Sequence, residues 1–314
     1  MRIILANPRG FCAGVNMAIE CVDRVLANQG PPVYVFHEIV HNKHVVEDFI
    51  SRGVVFVDTI EEVPEGATVV YSAHGVSPAI RKSSRARKLV EIDATCPLVT
   101  KVHHEVKGFA RKGYHIIFIG HRNHDEAVGT VGEAPESITV VESVEEVERL
   151  TFPQDAKLCF VSQTTLSLWD AQTIIGALQK KYPGIKPPPK DDICYATTNR
   201  QNAVSELGGE AQLVLVVGSQ NSSNSKRLAE MAHQAGKAAH LIDDQRELKP
   251  EWFEGVDTVF VTAGASAPER LVKDLVARIQ REFGGGEVEE RTLVEETMSF
   301  ELPKPLRRLS VVRS

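Results

Sequence analysis

Apolar runs of four or five residues punctuate this chain, each followed by a polar turn and then by a stretch whose apolar positions return every third or fourth residue. Ile3 to Ala6 opens the series as a short buried strand. Val15, Ala18, Ile19, Val22, Val25 and Leu26 then share one face of a predicted helix. Further strands are predicted at "VYVF" ending at Phe36, "IIFIG" ending at Gly120 and "LVLVVG" ending at Gly218, each leading into another helical pattern. Strands that alternate with helices imply parallel sheets, whose ligands bind beyond the carboxyl ends of the strands. The predicted fold class is α/β.

Three of the five cysteines expose a repeat. Cys12, Cys96 and Cys194 each stand just before a helical pattern, and an apolar strand ends 24 residues later in every case, at Phe36, Gly120 and Gly218. A polar turn follows: "HEIVHNK" with His41, "HRNHDE" with His124 and "SQNSSNS" with Ser222. A later strand in each unit ends in a second polar turn: "VVYSAHGVS" with His74, "CFVSQTTLS" with Thr164 and Thr165, and "VFVTAGASA" with Ser266. Self-similarity at a fixed interval is the mark of a repeated architecture. The expectation is three similar parallel-sheet α/β units in a pseudo-threefold trefoil, aiming three cysteines and six turns at one central cavity. The units are placed at residues 13–97, 98–191, and 1–12 with 192–283; the Pro-rich "IKPPPKDD" marks the second border, and 284–314 reads as a C-terminal extension.

Composition narrows the function classes. The chain has 314 residues and a formal charge of -6, which argues against nucleic-acid backbones and anionic membrane surfaces, since both call for a basic surface. Met1 runs at once into strand-like sequence with no leader and no apolar run of membrane-spanning length, so a cytoplasmic location is expected. An odd number of cysteines without a secretion signal makes a disulfide framework improbable. Cys21 and Cys159 fall inside helix and strand patterns and read as small buried hydrophobes.

Three thiolates meeting from distant segments repel one another unless a cation or cluster compensates. Structural zinc usually takes four ligands in local pairs such as C-x-x-C, which this chain lacks. A four-iron cluster accepts three cysteines and keeps one iron free for a substrate. The competing reading is three buried free cysteines. In "SSNSKRLAEMA", Ser222, Ser223, Asn224 and Ser225 gather at a helix start, where backbone N–H groups favour an anion; a phosphate or diphosphate suits the place, and ordinary capping is the alternative. His41, His74 and His124 follow strands at repeat-equivalent turns, where a protonated imidazole serves phosphate as cation and donor. Glu126 is the only carboxylate among these nominated residues and is the candidate general acid; a first-turn Glu facing the helix dipole is the alternative. The chain contains no G-x-x-x-x-G-K-S/T loop, no G-x-G-x-x-G after a strand and no G-x-S-x-G elbow.

Together "ANPRGFCAGV", "SAHGVS", "DATCPLVTKVH", "SQTTLS", "DDICYATTNRQ", "VGSQNSSNS" and "TAGASAP" resemble the 4-hydroxy-3-methylbut-2-enyl diphosphate reductase (LytB) family, from Met1 to about Arg281. The resemblance implies a trefoil around an oxygen-sensitive 4Fe-4S cluster, with Cys12, Cys96 and Cys194 as ligands and the fourth iron left for the substrate hydroxyl. It further implies a diphosphate pocket of His41, His74, His124, Ser222, Ser223, Asn224 and Ser266, and proton delivery by Glu126 with Thr164 beside it. The implied reaction is a two-electron reductive dehydration giving isopentenyl and dimethylallyl diphosphate, with ferredoxin or flavodoxin as electron donor. Two positions depart from the family pattern: His124-Asp125-Glu126 stands where His-Pro-Glu is usual, and Asn16-Met17 where Asp-Arg is usual. Losing that proline loosens the constraint on the loop, because proline fixes φ. A non-catalytic iron-sulfur sensor and a zinc-stapled module for phosphorylated ligands are the readings set against the reductase.

Overall fold

The computed structural model describes residues 1–153 and 155–307. Among these residues the strands form three sheets, and every pairing within them is parallel. The first contains β1 (Arg2–Asn7), β9 (Leu213–Val217), β10 (Ala238–Ile242), β11 (Thr258–Ala263) and β12 (Val288–Thr292), in the order β10-β9-β11-β1-β12. The second contains β2 (Val33–Phe36), β3 (Val54–Val57), β4 (Thr68–Tyr71) and β5 (Val90–Asp93), in the order β3-β2-β4-β5. The third contains β6 (His115–Ile119), β7 (Ile138–Val141) and β8 (Leu158–Ser162), in the order β7-β6-β8. Between strands run the helices α1 (Ala13–Gln29), α2 (Lys43–Ser51), α3 (Pro78–Ala86), α4 (Pro97–Arg111), α5 (Asp125–Val131), α6 (Val144–Arg149), α7 (Leu168–Lys181), α8 (Tyr195–Leu207), α9 (Ser223–Gln234) and α10 (Glu269–Glu282), with the short α11 (Lys304–Arg307) after the last strand.

The apolar runs become strands because both of their faces are covered. Successive side chains of a strand point to opposite faces. On one face of the first sheet Leu213, Leu215, Val259 and Val261 meet Leu271, Leu275 and Ile279 of α10. On the other, Val214, Val216 and Phe260 meet Ala203 and Val204 of α8 and Leu228 of α9. The third sheet repeats the arrangement: Ile117, Ile119 and Phe160 pack on Ile174 and Leu178 of α7, while Ile116, Phe118 and Val161 pack on Val102 and Val106 of α4. Strands covered on both faces have no solvent side to keep polar, hence the unbroken apolar runs.

Two compact units emerge: residues 1–15, 41–48 and 195–299 carry the first sheet, and the remaining described residues carry the second and third. Each sheet has one place where the strand order reverses, between β9 and β11, between β2 and β4, and between β6 and β8. The turns after these strands are the polar turns singled out in the sequence, and such reversal points are where open parallel sheets form ligand crevices.

Two local features depart from the pattern expected of the chain. The segment before Cys194 is not a strand; it makes a single parallel bridge, between Lys186 and Cys159. Pro187, Pro188 and Pro189 have no N–H to offer a ladder, so pairing stops there. The extension, in turn, contributes a strand: β12 pairs with β1 in the register Ile3↔Val288 and forms the sheet's edge. Its residues alternate between exposed and half-buried, and Glu289 and Arg291 join Arg2 and Glu210 in a charged border that discourages further strand pairing.

Candidate functional site

In the unit that carries the first sheet, Cys12 immediately precedes α1 and is half-buried. Its loop is held by backbone bonds from Gly10 N to the Ala263 carbonyl (3.4 Å) and from Cys12 N to the Ala265 carbonyl (3.2 Å). Gly10 has φ +65°, and a Cβ there would lie 3.2 Å from the Ala267 carbonyl oxygen, so both conformation and space require glycine. Arg200 of α8, fully buried, donates to the Gly10 carbonyl (2.7 Å) and pairs with Glu296 at 3.0 Å. Ala13 N donates to the Tyr195 hydroxyl (3.3 Å), whose pKa burial pushes up to about 12.

The polar turns after β9 and β11 belong to the same unit. Ser222 caps α9, accepting from Ser225 N (3.3 Å), and Ser225 Oγ donates to Ser222 Oγ (3.0 Å). A Cβ on Gly218 or on Gly264 would collide with Ser225 Oγ, so glycine at both strand ends lets the helix start come in close. Asn224 is buried, and neither its amide nitrogen nor its amide oxygen has a hydrogen-bond partner in the structure. Buried amides are ordinarily paired, so this one is an exception. Ser266 Oγ donates to the His41 carbonyl (2.9 Å), and Ser219 Oγ accepts from Lys43 N (3.0 Å), which ties the His41 segment to both turns.

In the unit that carries the other two sheets, Cys96 caps α4 without using its side chain, and its N–H donates to the Ala73 carbonyl (3.0 Å). Cys194 N donates to the Thr164 carbonyl (3.0 Å). Thr164 also serves Glu126: its backbone N–H and its hydroxyl reach the two carboxylate oxygens at 2.7 and 2.9 Å. Glu126 is buried, with 1% of its surface exposed. That desolvation dominates and pushes its pKa up to about 7 against the opposing pull of the Thr164 bonds, with Asp192 adding a smaller push in the same direction. Glu126 is therefore no solvated first-turn carboxylate.

His124 caps α5, its Nδ1 accepting from Glu126 N (3.1 Å). Capping thus occupies Nδ1 of this ring. Its ring meets that of His74 edge to face, with centroids 5.7 Å apart. Asp125, standing where the family pattern has proline, holds His37 Nδ1 at 2.9 Å, and this bond raises the His37 pKa. His37 is thus tied to the turn that carries His124 and Glu126, Asp192 lies on the segment leading to Cys194, and in the other unit Arg200 and Glu296 hold the loop of Cys12. Asp192 and Arg200 both had a signal, since they stand two residues before and six after Cys194 within "DDICYATTNRQ"; Glu296 lies far from the motif cysteines in sequence.

Cys21 and Cys159 are fully buried, and burial pushes both thiols up to about 12. Cys12, Cys96 and Cys194 are half-buried, lie in no disulfide and each immediately precede a helix. This donor set fits a thiolate-ligated iron-sulfur group and lacks the fourth, locally paired ligand of a structural zinc site.

Parallel sheets of this kind, with thiols at helix starts and polar turns at the reversal points, define the class as a parallel α/β protein. The chain belongs to the LytB protein family, whose model matches residues 3–280. It is 55% identical over 307 residues to the 4-hydroxy-3-methylbut-2-enyl diphosphate reductase of Rhodopirellula baltica, covering 98% of this chain and 96% of that protein. The enzyme of the same name from Azotobacter vinelandii is 54% identical over 314 residues, covering 99% of both. Among solved structures, the E-1-hydroxy-2-methyl-but-2-enyl-4-diphosphate reductase of Plasmodium falciparum superposes with a TM-score of 0.95 at 40% identity, covering 98% of this chain and 96% of that one. No helix among the described residues is long and apolar enough to cross a membrane.

Proposed function

We propose that this chain is an oxidoreductase that converts 4-hydroxy-3-methylbut-2-enyl diphosphate to isopentenyl and dimethylallyl diphosphate, the terminal step of the methylerythritol phosphate route. The observation that carries the proposal is the Thr164 turn, which holds the buried Glu126 with its N–H and hydroxyl and the backbone of Cys194 with its carbonyl. A proton source and a thiolate ligand thus share one rigid support. Cys12, Cys96 and Cys194 would hold the cluster; a 4Fe-4S cluster bound by them supplies single electrons, received from ferredoxin or flavodoxin, and an open iron for the substrate hydroxyl.

The remaining chemistry belongs to the chain. Net reduction takes up two electrons and two protons, breaks the allylic C–O bond and releases water. Glu126, raised to about 7, keeps a substantial protonated fraction at neutral pH. With the proton on Oε2 the carboxyl donates to Thr164 Oγ1, 2.9 Å away, which frees the threonine hydroxyl to donate in turn. The pair moves a proton without admitting bulk water. The diphosphate is assigned to His41, His74, His124, Ser222, Ser223, Asn224 and Ser266, with the open amide of Asn224 supplying a donor that has no other use. We also propose the three-unit partition at 13–97, 98–191 and 1–12 with 192–283, and a cytoplasmic location.

Protein purified and reconstituted without oxygen, assayed for iron and sulfide and then given the allylic diphosphate with a chemical reductant, tests the reading. The expected result is a brown protein that forms both isomeric products. A colourless, zinc-containing protein would support the binding-module reading, and a brown protein that leaves the substrate intact would support the sensor.

A further inference from the structure

Lys101 sits in the second turn of α4, the helix capped by Cys96, and its side chain is only 27% exposed. All three ammonium donors have acceptors on the segment leading to Cys194: the Lys190 carbonyl at 2.8 Å, the Asp191 carbonyl at 3.0 Å and Asp192 Oδ1 at 2.7 Å. Asp192 is buried, and its other oxygen accepts from Ser162 N (2.9 Å) at the end of β8. Two residues beyond Ser162, Thr164 binds Glu126 and accepts from Cys194 N. One ammonium therefore ties together the Cys96 helix, the approach to Cys194 and the turn that holds the proton donor.

The brace stands where the backbone cannot support itself. Pro187 to Pro189 end the pairing that begins at Lys186, and Cys194 has no strand behind it. Cys96 is better supported, because β5 and the first turn of α4 flank it. Without Lys101 the 190–192 peptide would lose three bonds, and buried Asp192 would lose its cationic partner.

We propose that Lys101 is a positioning residue that fixes Cys194 relative to Cys96 and holds the Thr164 turn in register with both. The proposal rests on the reading of Cys96 and Cys194 as cluster ligands and of Glu126 as proton donor. Outer residues that orient metal ligands are worth about 10- to 100-fold in metal affinity, which is the size of effect expected here.

The test uses anaerobically reconstituted Lys101→Met, Lys101→Arg and, as control, Lys112→Met at the carboxyl end of the same helix. Iron release to a ferrous chelator and amide exchange across residues 190–196 are measured for each. The Met variant should lose iron about 10- to 100-fold faster than wild type and exchange the Cys194 amide faster, with the Arg variant intermediate and Lys112→Met unchanged. Wild-type iron release and exchange in Lys101→Met would overturn the proposal. A wild-type protein that binds no iron would overturn the cluster reading instead; amide exchange would still test the brace. Should Lys101→Met fail to fold, Asp192→Asn, which weakens the same brace with little change in shape, is judged by the same two measurements.

Discussion

Replacing Glu126 by Gln should separate stability from turnover in opposite directions. The carboxyl is held near 7 in the folded protein against an ordinary 4.5, mainly because burial disfavours its charged form. At about 1.4 kcal/mol per pH unit, the 2.5-unit difference between those values corresponds to about 3 kcal/mol. The sign follows from a raised folded pKa. Below 4.5 both states are protonated and the favourable contribution is complete; it declines as the pH rises from 4.5 to about 7 and is gone above that. Gln does not titrate and still accepts from Thr164 N, so the stability of the variant relative to wild type should grow by about 2 to 3 kcal/mol between pH 5 and pH 8. Urea unfolding of anaerobic protein at several pH values measures the gap. Turnover should fall by about 10²- to 10⁴-fold, the range of general acid catalysis, because an amide supplies no proton. A gap that stays constant with pH, or a Gln variant that turns over normally, would refute the reasoning.

Three further outcomes follow from the same geometry. Cys12→Ser, Cys96→Ser and Cys194→Ser should each lose most of their iron and sulfide, whereas Cys21→Ser and Cys159→Ser, whose thiols are fully buried, should keep theirs; metal analysis decides. Asn224→Leu removes a buried amide that has no partner in the free protein, so it should raise the melting temperature while weakening calorimetrically measured diphosphate binding by about 10- to 100-fold, the equivalent of a charge-assisted bond. Glu296→Ala strands fully buried Arg200 and should cost about 3 to 5 kcal/mol in denaturant unfolding, with faster iron loss because the guanidinium also holds the Gly10 carbonyl.

Much of the architecture is local information and was legible as such. Unbroken apolar runs predict strands covered on both faces, and the 24-residue interval from each motif cysteine finds β2, β6 and β9. The polar turns after those strands could be named in advance because a parallel sheet presents its loops at the carboxyl ends of its strands. The same logic missed β12: its "VEERT" has the alternation of a sheet edge and none of the apolar run that marks a central strand.

What the sequence determined on its own was therefore the kind of elements, their order, and the residues placed at the turns. Tertiary structure decided the state of those residues. A Glu after a helix cap reads the same whether solvated or buried, and only enclosure of Glu126 beside Thr164 raises its pKa to about 7, because desolvation depends on everything packed around the charge. Likewise His124 spends Nδ1 on capping, and Lys101, Arg200 and Glu296 acquire roles through partners as many as 190 residues away. Periodicity follows from the backbone's own repeat, whereas burial, protonation and long-range bonding arise only when distant segments displace water from one another.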